Sequence, residues 1–186
     1  MKKILLTTQA LLTSIILLSG TVYADANQND RSAMLQVSGA VSNSGSFNCS
    51  IYLDRPAVAL LSDASKLVEQ GDHATTAATL RIQMTKHEGC EDLVEKGRIT
   101  YKFVGQGTGN GGETEVLANQ NTTVGASQGV GVGVFTDDSS PVNLNSTEIL
   151  ALPWGNTFLV QMVKLKNTVV KAGAVTANLT VEINRI

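Results

Sequence analysis

Ala33-Met34-Leu35-Gln36-Val37-Ser38-Gly39-Ala40-Val41 is the stretch whose reading decides the fold. Every second residue, Ala33, Leu35, Val37, Gly39 and Val41, is small or apolar. The residues between them are Met34, Gln36, Ser38 and Ala40. A period of two marks a strand with one face buried. The strand follows a polar stretch, Asp25 to Ser32, and precedes the first cysteine, Cys49. It is free to bury its face in its own chain or in another molecule, and sequence leaves both open.

Upstream, Lys2 and Lys3 precede an apolar run from Ile4 to Leu18, and Val22-Tyr23-Ala24 supplies the small residues of a cleavage site. This pattern reads as a secretory signal peptide over 1–24, too short and wrongly flanked to span a membrane. The expected division is a signal peptide (1–24), an N-terminal extension (25–45) and one domain (46–186). No later run approaches the ~20 apolar residues of a spanning helix. Loss of Lys2 and Lys3 takes the basic count from 14 to 12 against 16 acidic residues. A mildly acidic, unpatterned surface argues against nucleic acid, whose binding rests on Lys and Arg contacts to phosphate. Scarce aromatics with plentiful Val, Thr, Ala, Gly and Asn suit a β-rich domain with many turns.

Downstream, Cys49 and Cys90 are the two cysteines, and in an exported chain an even count predicts a disulfide. A zinc site would need His73 and His87 to join them by accident of folding, so no metal or cofactor is expected. Strands are predicted at Phe47–Leu53 (carrying Cys49), Val58–Leu61, Thr79–Met84, Arg98–Val104, Val116–Ala118, Val130–Val134, Val142–Leu144, Thr157–Lys164 and Ala174–Ile186. One or two helical turns are expected within Ser62–Gln70, capped by Ser62 or Asp63. Strands at this spacing, with almost no helix, predict an all-β sandwich.

Several motifs imitate chemistry. Gly125-Ala126-Ser127-Gln128-Gly129 fits the G-x-S-x-G nucleophile elbow, but a valine–glycine strand follows it and both histidines precede it. Gly107-Thr108-Gly109-Asn110-Gly111-Gly112 fits G-x-G-x-x-G, yet Glu113-Thr114-Glu115 follows where a helix should open, so a hairpin loop is expected. His87, Glu88, Glu91 and Asp92 around Cys90 read as a solvated turn. Sequons at Asn121, Asn145 and Asn178 matter only in a glycosylating host. Trp154, after Pro153, reads as packing beside a turn, with a ligand surface as the alternative. No catalytic residue is assigned.

In this order the pieces resemble a fimbrial subunit of the chaperone–usher type, the type 1 pilin family, over essentially the whole mature chain. The resemblance rests on the arm ending Val37-Ser38-Gly39-Ala40-Val41, the cysteines about forty residues apart and Phe103-Val104-Gly105. It rests also on Gly129-Val130-Gly131-Val132, Phe158–Lys164, and Gly173 fourteenth from the C-terminus. Such subunits have an immunoglobulin-like sandwich lacking its last strand, completed by donor-strand complementation. The resemblance implies Ala33, Leu35, Val37, Gly39 and Val41 as the donor strand, with Gly39 where no side chain fits. It implies Gly173, Val175, Ala177, Leu179, Val181 and Ile183 as the acceptor groove and chaperone-binding strand. It further implies a periplasmic chaperone, an outer-membrane usher and neighbouring subunits as partners, with export to the cell surface; it names no host receptor. Where the family usually carries an aromatic second-to-last residue this chain has Arg185, which alternation would aim inward. The competing readings are a tip or minor adhesin binding a host glycan, for which the chain has no extra domain, and a self-complemented secreted sandwich.

Overall fold

A computed structural model describes residues 30–41, 49–85, 89–109 and 114–186; within 30–41, side chains are described for 33–38 only. The signal-peptide reading, Phe47, His87 and Glu88 lie outside the described residues. In chain order the strands are β1 (Asp30–Val41), β2 (Ile51–Leu53), β3 (Ala57–Asp63), β4 (Val68–Glu69), β5 (Ala78–Met84) and β6 (Ile99–Val104). They continue as β7 (Gly107–Thr108), β8 (Val116–Ala118), β9 (Val130–Thr136), β10 (Pro141–Val142), β11 (Glu148–Leu150), β12 (Asn156–Lys164) and β13 (Val175–Arg185). A single α-helix, α1 (Cys90–Glu95), and a 3-10 turn, Ala64–Lys66, complete the described elements.

Two sheets face each other. One is ordered β11-β6-β13-β1-β3; the other runs β2-β5-β12-β9-β8-β7, with β10 added to β9 and β4 to β12. This is the all-β sandwich expected from the strand spacing, consistent with the immunoglobulin-like fold that the resemblance implies. Its interior forms because alternate residues of both sheets point inward: Leu80 and Ile82 from β5, Phe158 and Val160 from β12, Leu179 and Val181 from β13. Phe158 sits edge-on to both Tyr101 and Phe103, with ring centroids 6.4 and 4.7 Å apart, the geometry aromatic quadrupoles favour.

β9 departs from simple alternation, because its first six residues are buried without a break. A second apolar cluster explains this. Val116, Phe135 and Val163 lie on the outer side of that sheet, with Val68, Ala74, Leu159 and Leu165 packed over them. The covering segment is fastened by polar side chains. Gln70 Nε2 donates to Thr114 O at 2.6 Å, and Gln161 Oε1 accepts from Thr75 and Thr76 N–H at 2.9 and 3.1 Å. Gln70 and Gln161 are almost fully buried, a placement tolerable only because their amides are paired.

The elements differ from the sequence reading in three places. Cys49 precedes β2 and does not lie on it, although Thr85 N–H still donates to Ser50 O at 2.8 Å. The Glu91–Asp92 region is a helix where a turn was expected. Its first turn carries those two acids against the helix N-terminus, and Gly97, at φ +64°, closes it with Arg98 N–H on Leu93 O. Strands β4, β7 and β11, two or three residues each, are too short to leave a periodic signal. The helical turn expected in 62–70 is present, as a single 3-10 turn in which Asp63, one of the two expected caps, accepts from Ser65 N–H at 2.8 Å.

The disulfide joins Cys49 to Cys90 with Cα atoms 5.5 Å apart, inside the range a disulfide spans without distortion. It ties the start of the domain to the first residue of α1. β1 lies outside this covalent loop.

Candidate functional site: the seam between the N-terminal strand and the C-terminal strand

β1 is inserted between β13 and β3. It runs parallel to β13, pairing Ala33 with Val175, Leu35 with Ala177, Val37 with Leu179, Gly39 with Val181 and Val41 with Ile183. It runs antiparallel to β3, pairing Ala33 with Leu60 and Leu35 with Val58. The β3 contact ends where Val37 N–H donates to Pro56 O at 2.8 Å.

The alternation seen in sequence is the alternation of burial. Ala33, Leu35 and Val37 are buried while Met34, Gln36 and Ser38 are exposed. Leu35 is fully enclosed, as are Ala177, Leu179 and Val181; Val175 and Ile183 are buried beside them. The structure thus brings together the two residue sets that sequence reading had assigned to donor strand and groove. For Gly39 and Val41 it gives the backbone register alone.

Gly173 lies just before β13, where a Cβ would come within 2.5 Å of Ala126 C, Gly125 O and Ser127 N. The segment it abuts is the G-x-S-x-G sequence. Ser127 N–H donates to Ala174 O and Ala174 N–H to Gly125 O, both at 2.9 Å, so this loop closes one end of the seam. The Ser127 hydroxyl donates to Lys171 O at 2.9 Å, which occupies it structurally. A cavity of about 20 Å³ opens beside it among Ser62, Leu67, Ser127, Met162 and Val175.

The remaining glycine motifs have equally local causes. A Cβ on Gly105 would meet Leu117 Cδ2 at 2.4 Å and Asn178 O at 2.9 Å. The Asn145 side chain brackets Gly105, accepting from its N–H at 3.1 Å and donating to its C=O at 3.2 Å. A Cβ on Gly131 would lie 2.8 Å from Leu117 O, the close backbone approach expected of the valine–glycine strand. Arg185 stays in the ladder opposite Ile99, yet its side chain is exposed. The strand does not fray; the inward face simply ends after Ile183, and a long cationic side chain reaches water there.

Among the described residues the shifted titratable groups have local causes. Burial pushes the Tyr101 phenol up to about 12, and its hydroxyl has no hydrogen-bond partner among the described residues. Asp63 is held below the usual carboxylate range by the Ser65 N–H and hydroxyl, and Asp138 by the Thr136 hydroxyl and Ser140 N–H. Among the described residues no three His, Cys, Asp or Glu side chains cluster as metal ligands would, and no helix is long and apolar enough to cross a membrane.

The family model for fimbrial proteins matches residues 35–184, from within β1 to the penultimate residue of β13. No curated protein matches the chain. With four-fifths of the sequence covered by that match, the chain belongs to the fimbrial protein family, whose members are structural subunits displayed at the cell surface and assembled with other pilin subunits.

Proposed function

We propose that the chain is a structural subunit of a chaperone–usher fimbria and that residues 33–41 act as its donor strand in trans. In this reading residues 1–24 are removed on export, 25–45 form the extension and 46–186 the pilin domain. A periplasmic chaperone protects the open groove, an outer-membrane usher exchanges it for a neighbour's extension, and the fibre supports cell adhesion. One observation carries the proposal. The first described strand, β1, is an interior strand of its sheet, yet it lies outside the disulfide loop. Without it, β13 and β3 both present unpaired edges beside an apolar groove, which is an association hazard unless another strand fills it. A strand and a groove on different surfaces make a heterologous contact that propagates a filament.

Tether geometry favours exchange. Cys49 is bound to Cys90, and α1 leads from there into Ile99, which pairs with Arg185; Val41 lies at the same end, opposite Ile183. Connected to Cys49 by residues 42–48, the chain's own arm enters parallel to β13. Entering the other way would carry Val41 ~26 Å along the groove, close to the ~29 Å limit of that fully stretched connection. An arm from another subunit has no such tether and is free to pair antiparallel, the slightly more stable ladder. The self-complemented reading is supported by the parallel register of the isolated chain. Periplasmic expression with and without residues 25–41 separates the two. Exchange in trans predicts detergent-resistant ladders from the full chain and chaperone-bound, ladder-free protein from the truncated one. A stable monomer that merely unfolds on truncation would leave the self-complemented form as its function.

A further inference from the structure

β3 ends its sheet, so only one of its sides is paired. Val37 N–H donates to Pro56 O at 2.8 Å, and hydrogen-bonded pairs recur at every second residue of an antiparallel ladder. Val58 and Leu60 therefore turn their backbone groups toward β1, where they stand opposite Leu35 and Ala33. Ala57, Ala59 and Leu61 turn theirs outward, and no strand meets them among the described residues. The side chains of the same three are exposed, Leu61 at 67%, beside the exposed Met34 that stands opposite Ala59. Behind this edge a cavity of about 210 Å³, lined by Leu60, Leu61, Thr76, Ala78 and Met162, lies between β3 and the facing sheet.

Exposed edges are commonly blunted by a charge, a proline or a bulge. Positions 57–62, Ala-Val-Ala-Leu-Leu-Ser, carry no charge and no proline, and their register with β1 is unbroken. Charge is confined to the two ends, Arg55 before the run and Asp63 at its close. Both groups are available. The Arg55 side chain is half exposed, and its Nε lies 3.5 Å from the carboxylate of neighbouring Asp54. Asp63 accepts from the Ser65 N–H and hydroxyl on one oxygen, Oδ1, which leaves Oδ2 free among the described residues.

We infer that β3 is a self-recognition edge, which pairs antiparallel with β3 of a second copy about a two-fold axis at Ala59. In this register Ala59 meets Ala59, Ala57 meets Leu61, and Arg55 of each copy meets Asp63 of the other. Ala57, Ala59 and Leu61 are the residues with outward backbone groups, so ladder bonds and side-chain pairs come from one alignment. A shift by one residue would set outward groups against inward ones. A shift by two would part both ion pairs. Charge also sets direction, since a parallel pairing would put Arg55 beside Arg55 and Asp63 beside Asp63, and like charges directly opposite destabilise a sheet. The contact is isologous and closes at two copies, whereas the seam joins different surfaces and propagates. It does not depend on which chain supplies β1, because β3 keeps the same free side in either case.

Sedimentation equilibrium of the purified protein over about 1 μM to 1 mM, a range that brackets weak association, should show a reversible monomer–dimer equilibrium. Arg55→Glu sets an acid against Asp63, and Asp63→Lys a base against Arg55, twice in each dimer. Either alone should weaken dimerisation by about tenfold or more. Mixed in equal amounts, the two variants restore both ion pairs, and a heterodimer of near wild-type affinity should form. Asp63→Lys also removes the Ser65 cap, so Ala59→Glu, which touches neither that cap nor an ion pair, is the independent test. It meets its own copy on the axis and should abolish the dimer with the urea midpoint unchanged. Wild-type protein that stays monomeric throughout overturns the inference. So does wild-type dimerisation by Arg55→Glu or Ala59→Glu, or a mixture of the two charge variants that stays monomeric. Association that runs past two copies and ignores the variants belongs to the seam and overturns it equally.

Discussion

Replacing Leu35 by alanine tests the seam at its most enclosed point. Leu35 is fully buried, with Ala177 opposite it on β13 and Val58 on β3. The substitution removes three carbons from the core, a transfer loss of about 2.4 kcal/mol at ~0.8 kcal/mol each. A cavity term adds to it, because β13 is held by β6 on its far side and the gap closes only in part. The total expected is about 3–4 kcal/mol, within the range measured for buried Leu→Ala changes. With a urea slope of ~2 kcal/mol/M for a domain of this size, the midpoint should fall by about 1.5–2 M with the slope unchanged. The assay is equilibrium unfolding of the purified monomer, followed by Trp154 emission and by circular dichroism to verify a single transition. Met34→Ala, one residue away and 48% exposed, is the internal control and should move the midpoint far less. If Leu35→Ala and Met34→Ala shift it equally, or if neither shifts it, the alternation of burial along β1 is wrong and the groove assignment falls with it.

Two further perturbations follow from the same structure. Cys49→Ser opens a loop of sequence separation 41, which the chain-entropy account values at ~4 kcal/mol; the expected outcome is a large fall in periplasmic yield and in the urea midpoint, and wild-type values for both would contradict the stapling role. Tyr101→Phe removes a buried hydroxyl that has no partner among the described residues, so it should be neutral or slightly stabilising at neutral pH. The wild-type phenol, raised to about 12 from 10.0, keeps its proton in the folded state where the unfolded chain loses it. Its contribution is therefore present below pH ~10 and lost as pH rises toward ~12; urea midpoints at about pH 9 and pH 11 should diverge more in wild type than in Tyr101→Phe, and equal divergence would rule out this cause.

The alternating strands were legible because a sandwich imposes a period of two on any strand with one wet face. β1 over 33–38, β5 and β13 follow it residue by residue, and the sets Ala33–Val41 and Val175–Ile183 could be named from it. β9 was legible as a strand from its valine–glycine alternation, but not the burial of both its faces, since the outer one is covered by residues from 68–74 fastened through Gln70 and Gln161, contacts of large sequence separation. The helix α1 was missed because six residues carry less than two turns of pattern, and it depends on Leu93 and Val94 being buried by the sandwich.

Composition and local pattern alone determined that this is a disulfide-bearing, all-β domain with an apolar strand ahead of it. Those properties depend on neighbouring residues and on counts, which a chain carries in its order. Only the tertiary structure decided that β1 enters between β13 and β3, in parallel with the former, and that Trp154 is left exposed at the turn before β12. Strand order and direction depend on which distant edges meet and on where a tether is anchored, here at Cys49 through Cys90. No period along the chain encodes either.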